Sequence, residues 1–172
     1  PLDGTTNFIH GFPVFSISIA VTYNGQLEHG VVYDPLRQEI FSASRGQGAQ
    51  LDGRKIRVSR RVSMQHSLIA TGFPYRKNME HLDDYLAMLK SVITASSGIR
   101  RPGSAALDLC YVASGRVDGF WEVGLNIWDI AAGALLIKEA GGRISDFHGR
   151  DEYLQSGDVV AGSPKIYAAL SK

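Results

Sequence analysis

Cysteine is the scarcest chemistry-bearing residue in this sequence: one, Cys110, in 172 positions. A single thiol excludes an intrachain disulfide framework and suits a reducing compartment, so a cytoplasmic location is expected. Cys110 sits in ALDLCYVA, at helical spacing among apolar residues, which predicts a buried structural thiol and not a nucleophile. Charge of one sign is also missing, because 18 Lys+Arg against 17 Asp+Glu leave a formal +1. With no long basic block, nothing advertises a nucleic-acid groove, and Arg60–Arg61 and Arg100–Arg101 read as ordinary exposed surface. No apolar run approaches the roughly 20 residues that a membrane span needs, so no membrane partner is expected. No signal peptide is visible. The five histidines (His10, His29, His66, His81, His148) lack zinc-like spacing. Neither G-x-S-x-G, Walker A nor a G-x-G-x-x-G between strand and helix occurs. An initiator methionine is absent too; the chain opens on Pro1, and its start is expected to be missing.

What the sequence does have is enough apolar content, 44%, to bury a core of one domain or somewhat more. It also has 19 glycines, above the usual ~7%, and they punctuate strand and helix patterns. In FSISIAVTY, Phe15, Ile17, Ile19, Val21 and Tyr23 alternate with Ser16, Ser18, Ala20 and Thr22, the period of a half-buried strand. Asn24-Gly25 follows as a type I′ hairpin signal, because both turn positions need positive φ. LEHGVVYD, QEIFSAS and RGQGAQLDGRKI extend an antiparallel meander of three or four strands through Ile56.

Beyond the polar joint VSRRVSMQ the pattern becomes mixed α/β. SLIATGFP reads as a short buried strand. Leu82, Tyr85, Leu86, Leu89, Val92 and Ile93 mark one face of a helix with Asp83 and Asp84 in its first turn. GSAALDLCYVASG predicts a second helix closed by Gly115, VDGFWEV a strand, and WDIAAGALLIKEAGG a third helix. RISDF and DVVAG predict strands, and SPKIYAAL a last helix with Pro164 in its first turn. The alternation implies an α/β class.

Three constellations could carry chemistry. Asp3-Gly4-Thr5-Thr6 combines an oxygen ligand for a hard cation, a backbone that phosphate can approach, and two hydroxyls. The alternative is an N-cap for a helical turn over NFIHGF. Asp129 opens a long apolar helix, where it could equally be a cap; behind it Ala131, Ala132, Gly133 and Ala134 would let another backbone come close. Its neighbour Trp128 is expected in the core. Gly103-Ser104-Ala105 starts a helix and offers N–H groups to an anion or hydroxyl. Glu122 ends an apolar strand, either as a paired structural carboxylate or as an acceptor for substrate hydroxyls.

PLDGTTNFIHGFP and WDIAAGALLIKEAGG resemble the two signature segments of the inositol monophosphatase family, Mg²⁺-dependent, lithium-sensitive phosphatases. VVYDP, RGQGA, ATGFP and GSAALDLCYVASGRVDGFWE resemble bacterial members, so the resemblance covers essentially the whole chain. It implies an αβαβα layered fold of which this chain is the C-terminal part. Residues 1–60 would be the remainder of the N-terminal metal-binding sheet region, and 61–172 the C-terminal α/β region. It implies Mg²⁺ as cofactor, with Asp3 and Asp129 binding one ion and the Leu2 carbonyl another. Gly4 and Thr5 would contact phosphate, with Thr5 orienting the attacking water and Thr6 beside them. Gly103, Ser104 and Ala105 would line the inositol ring, and Glu122 would accept substrate hydroxyls. The implied reaction is in-line attack of metal-activated water on a small-molecule phosphate monoester, foremost inositol 1-phosphate. Nucleotide 3′-phosphate, histidinol phosphate and fructose bisphosphate are the substrates of relatives within the superfamily. In the family, an aspartate immediately before this Pro-Leu-Asp and a glutamate further upstream complete the metal site. Neither is present in this sequence, so the 172 residues alone are expected to be inactive or nearly so. Relatives are commonly homodimers, and some bacterial ones are associated with RNA or RNA polymerase.

Overall fold

The chain enters through a two-residue strand, β1 (Leu2–Asp3), and a short helical turn, α1 (Thr5–Ile9). This computed structural model describes residues 2–74 and 82–172; Pro1 and His81, named above, lie outside the described residues. Next come β2 (Ser16–Tyr23) and β3 (Gln26–Asp34), joined at Asn24 and Gly25 with φ of 49° and 77°. That is the type I′ turn expected of Asn-Gly. At the next reversal the Asp34 carboxylate accepts from the N–H groups of Leu36 and Arg37 at 3.0 and 3.1 Å, an Asx-type turn. It leads to β4 (Glu39–Ser44) and β5 (Gly48–Leu51). Asp52-Gly53 then repeats the positive-φ hairpin into β6 (Arg54–Lys55). These strands form an antiparallel sheet in the order β1-β2-β3-β4-β5-β6. The meander is there, with six strands instead of three or four. The two shortest, β1 and β6, hold two residues each and carry no periodicity to read.

The alternation in β2 is real, but its buried side is the polar one. Ser16 and Ser18 face inward, while Ile19 is 54% and Tyr23 69% exposed. The cause is the helix that packs inside. A Cβ on Gly30 of β3 would lie 3.0 Å from the Cα of Ala132, so this part of the inner face admits only small residues. The larger side chains of Ile17, Ile19 and Val21 are left on the outer face, continuous with exposed Val31 and Ile40 on β3 and β4.

The second half contributes a 3-10 turn (Met64–His66), β7 (Leu68–Thr71), α2 (Leu82–Ala95), β8 (Gly98–Arg100) and α3 (Ala105–Ala113). It continues through β9 (Gly119–Glu122), α4 (Ile127–Glu139), β10 (Arg143–Ser145), α5 (Tyr153–Ser156), β11 (Val159–Gly162) and α6 (Pro164–Leu170). Its sheet runs β10-β11-β9-β7-β8, parallel at β7–β8 and β7–β9 and antiparallel elsewhere, the mixed layer that strand–helix alternation implied. Helices α3 and α4 lie between the two sheets in one continuous core that includes Phe41, Leu109, Cys110, Phe120 and Leu136. A second cluster around Ile69, Tyr85, Trp121 and Ile166 fills the far side of the mixed sheet under α2 and α6. Among the described residues no helix is long and apolar enough to cross a membrane.

Small residues set the spacing of the middle layer. A Cβ on Gly133 of α4 would sit 2.5 Å from the Cβ of Leu109 on α3. Ala132, the preceding residue and about 100° around the same helix, meets Gly30. The run Ala131–Ala134 therefore serves the close backbone approach expected of it. Trp128 does not reach the core; one turn earlier on the helix, it is 61% exposed. Its carbonyl is tied down, accepting from the Ser18 hydroxyl at 3.1 Å.

Candidate active site

Asp3, Gly4 and Thr5 come to the same place as Glu122 and Asp129, although the chain separates them by more than 100 residues. They line a cavity of about 260 Å³, and Thr6, Gly103 and Ala105 line it with them. Local folding explains each placement. β1 pairs with β2 so that Asp3 lies opposite Ser16. Gly4 takes the left-handed conformation (φ 81°) and turns the chain into α1, and a side chain there would meet the Val14 carbonyl at 2.8 Å. Glu122 ends β9 and Asp129 lies in the first turn of α4, so both project from the same edge of the middle layers.

Neither aspartate is the helix cap it could have been. Gly4 occupies the α1 cap position without a side-chain hydrogen bond. Asp3 instead points toward α3: its Oδ2 accepts from the Ser104 hydroxyl at 2.6 Å and from the Ala106 N–H at 2.9 Å, and its Oδ1 from the Gly4 N–H at 2.8 Å. At α4 the cap position belongs to Asn126, and Asp129 stands three residues on. Its Oδ2 accepts from the backbone N–H and the side-chain amide of Asn126 at 3.1 and 3.3 Å. The start of α3 is not open to a ligand in the way its sequence suggested, since Ala106 N–H is committed to Asp3.

The electrostatics are those of a crowded acidic site. Burial raises the Asp3 carboxyl above the usual carboxylate range; the bonds from Ser104 and Ala106 oppose that, and repulsion from Asp129 adds to it. Burial likewise raises Asp129, against the pull of its Asn126 bonds. Glu122 is pushed up to about 8, first by burial and then by the charge of Asp3, with Arg101 opposing. Among the described residues no hydrogen bond or ion pair satisfies the Glu122 carboxylate. Asp108, in the first turn of α3 and fully buried, is raised well above its ordinary value by burial and by Glu122.

These carboxylates, with the hydroxyls and carbonyls around them, are the hard oxygen donors that suit Mg²⁺. Asp3 and Asp129 repel each other, and a cation held by both would relieve that repulsion, so the residues present fit a divalent ion. The donor set is small. Among the described residues no group of three His, Cys, Asp or Glu side chains converges on one point.

Two residues named from the sequence stand apart from the cavity wall. Leu2 lies in β1, 40% exposed. Ser104 is buried, with its hydroxyl turned to Asp3. Others line the cavity without having been singled out. Asn7 donates its side-chain amide to the carbonyls of Val14 and Pro102 at 2.8 and 2.9 Å, fastening the Asp3–Thr6 loop to the approach of α3. Arg101, read as plain surface, places its guanidinium 5.0 Å from the centroid of the Phe73 ring at the cavity rim. Gly72 lies beneath Glu122. The spacing Asn126-x-x-Asp129 was a readable capping-box signal; the contacts of Asn7 and Arg101 are tertiary and left no local pattern.

Comparison with known proteins gives the family. The inositol monophosphatase family matches residues 1–172. The "Nus factor SuhB" of Pseudomonas aeruginosa is 59% identical over 171 residues, 99% of this chain and 63% of that protein. The solved extragenic suppressor protein suhB from Bartonella henselae superposes with a TM-score of 0.96 at 47% identity, covering 99% of this chain and 65% of that one. An inositol monophosphatase from Anabaena superposes with a TM-score of 0.93 at 40% identity, over 99% and 70% of the two chains. The chain thus spans just under two thirds of the length of the P. aeruginosa relative.

Proposed function

This chain belongs to the inositol monophosphatase family, and we propose that it carries the phosphate-binding loop and part of the metal site of a Mg²⁺-dependent phosphomonoesterase. Inositol 1-phosphate is the proposed substrate. The observation that carries this reading is the convergence of Asp3, Thr5, Glu122 and Asp129 on one cavity. Bound Mg²⁺ supplies Lewis-acid activation of water and of the leaving oxygen. Asp3 and Asp129 would be the carboxylates that hold one ion, and the Leu2 carbonyl would bind another. Gly4 permits close approach of the phosphate, and the Thr5 hydroxyl orients the attacking water, with Thr6 adjacent. Glu122 accepts hydroxyls of the polyol, a role that suits a carboxylate with no partner among the described residues. Gly103 and Ala105 leave room for the ring.

A panel of inositol 1-phosphate, a nucleotide 3′-phosphate, histidinol phosphate and fructose bisphosphate, assayed with Mg²⁺ and with or without lithium, tests the substrate. The 172-residue chain should be run beside one of the relatives' full length. Preferential, lithium-inhibited turnover of inositol 1-phosphate by the longer protein supports the reading, and comparable turnover by the shorter chain would show that the residues here suffice. Asp129→Asn should abolish hydrolysis.

A second reading has its own support, since the P. aeruginosa relative is named a Nus factor. On that reading the protein associates with the transcription machinery, and co-purification with RNA polymerase would survive Asp129→Asn.

A further inference from the structure

A serine hydroxyl has one proton to donate and two lone pairs to receive. In Ser104 all three are taken. Its proton goes to Asp3 Oδ2, 2.6 Å away, because a carboxylate can only accept. Its oxygen then faces the Leu107 N–H at 3.4 Å, as the cap of α3, and the Ser16 hydroxyl at 3.3 Å. With the Ser104 proton already committed, Ser16 is the donor in that last contact. Ser104 and Ser16 are both almost wholly inaccessible. Nothing of the Ser104 side chain remains for a ligand.

The three residues come from three separate segments and close a triangle. Asp3 and Ser16 are directly opposed in the β1–β2 pairing, while Ser104 arrives from the start of α3, 101 positions beyond Asp3. The Ala106 N–H adds a second donor to the same Asp3 oxygen at 2.9 Å, and Gly4 N–H holds the other. A carboxylate gripped at both oxygens has one orientation, and its remaining lone pairs are presented in fixed directions.

We infer that Ser104 is a positioning residue which fixes the Asp3 carboxylate, with buried Ser16 orienting the Ser104 hydroxyl, and that Ser104 makes no contact with substrate. This replaces the ring-lining role that its sequence position implied. It rests on the reading of Asp3 as a metal ligand only in its consequence for metal affinity; the geometric consequence stands by itself.

The test uses Ser104→Ala, Ser104→Thr and Ser16→Ala, each followed by calorimetric Mn²⁺ titration and by a metal-free crystal structure. Loss of a group that orients a metal ligand typically weakens binding by about 10–100-fold, and Ser104→Ala is expected in that range. Ser104→Thr keeps the hydroxyl and should restore affinity to within a few-fold. Ser16→Ala leaves both the α3 cap and Ser104 in place, so its smaller, few-fold loss cannot be blamed on unfolding. In the crystal, Asp3 of Ser104→Ala should leave Ala106 and adopt another rotamer. An Asp3 carboxylate that stays in place with unchanged Mn²⁺ affinity overturns the inference, as does a Ser104→Ala variant whose only defect is a raised KM. If the unsubstituted full-length protein binds no Mn²⁺, the metal reading of Asp3 fails, and the Asp3 rotamer alone decides whether Ser104 positions it.

Discussion

Gly72 and Glu122 oppose each other at the ends of β7 and β9 so closely that a β-carbon on residue 72 would overlap the Glu122 carboxylate. The overlap falls on the far end of a flexible side chain, so the fold can yield by moving Glu122 out of the cavity. Gly72→Ala is therefore expected to cost little stability, less than the ~1–3 kcal/mol typical of overpacking a rigid core. Its effect should fall on substrate binding. If Glu122 accepts polyol hydroxyls, its carboxyl, raised to about 8, is largely neutral near pH 7, and losing a neutral hydrogen bond is worth about 0.5–1.5 kcal/mol, or a roughly 2–10-fold rise in KM for inositol 1-phosphate. Steady-state kinetics beside urea denaturation of the same variant separate the two effects.

Glu122 also makes a signed prediction about pH. Its carboxyl is raised from 4.5 to about 8 in the fold, chiefly by burial, so the native state holds that proton more tightly than the unfolded chain does. Native stability is then undiminished below the unfolded pKa and declines as pH rises from there through about 8. Glu122→Gln keeps the shape and removes the charge. In metal-free protein it should leave stability unchanged near pH 4 and raise it by on the order of 2–4 kcal/mol at pH 9. Denaturation midpoints at the two pH values check this, and a variant destabilised equally at both would show that the carboxylate is satisfied.

Asn7 ties two parts of the site together. Its amide nitrogen serves the carbonyls of Val14 and Pro102, with Gly103 further off at 3.3 Å. Asn7→Ala leaves these acceptors without their donor and should destabilise the protein by about 1–3 kcal/mol. Asn7→Asp should be worse, because it turns carboxylate oxygen toward carbonyl oxygen. Urea titration of the two variants gives the order, and equal effects would mean that only side-chain volume matters there.

The parts of the fold legible in sequence were those with local causes. Asn24-Gly25 needs only its own φ angles to make a hairpin, and the run Ala131–Ala134 permits close packing whatever partner arrives. Gathering Asp3 with Asp129 needed long signature segments, since each aspartate alone reads as a cap. What stayed hidden depends on what sits across from a residue. Ser104 looked like an open helix start until Asp3, from 101 positions earlier, was found on it. Trp128 looked like core because aromatics usually are, yet the first turn of α4 carries it outward. The side of β2 that is buried was decided by the approach of α4 to Gly30, a contact invisible in the alternation itself.

That reversal in β2 has a measurable consequence. Ile17, Ile19 and Val21 share the outer face with Val31 and Ile40, each between about a third and just over half exposed. Neighbouring register on β2, β3 and β4 makes them one continuous apolar surface. Large exposed apolar patches are uncommon on soluble monomers and promote association. The 172-residue chain is expected to bind the dye ANS while natively folded and to self-associate with rising concentration. Ile19→Lys puts a charge at the centre of the patch, at a side chain already 54% exposed. It should reduce both dye fluorescence and the sedimentation-detected association while leaving the near-UV circular dichroism of the core unchanged. Undiminished ANS binding in that variant would place the dye elsewhere, with the cavity lined by Met88, Val92 and Leu170 on the opposite side of the molecule as the next surface to block.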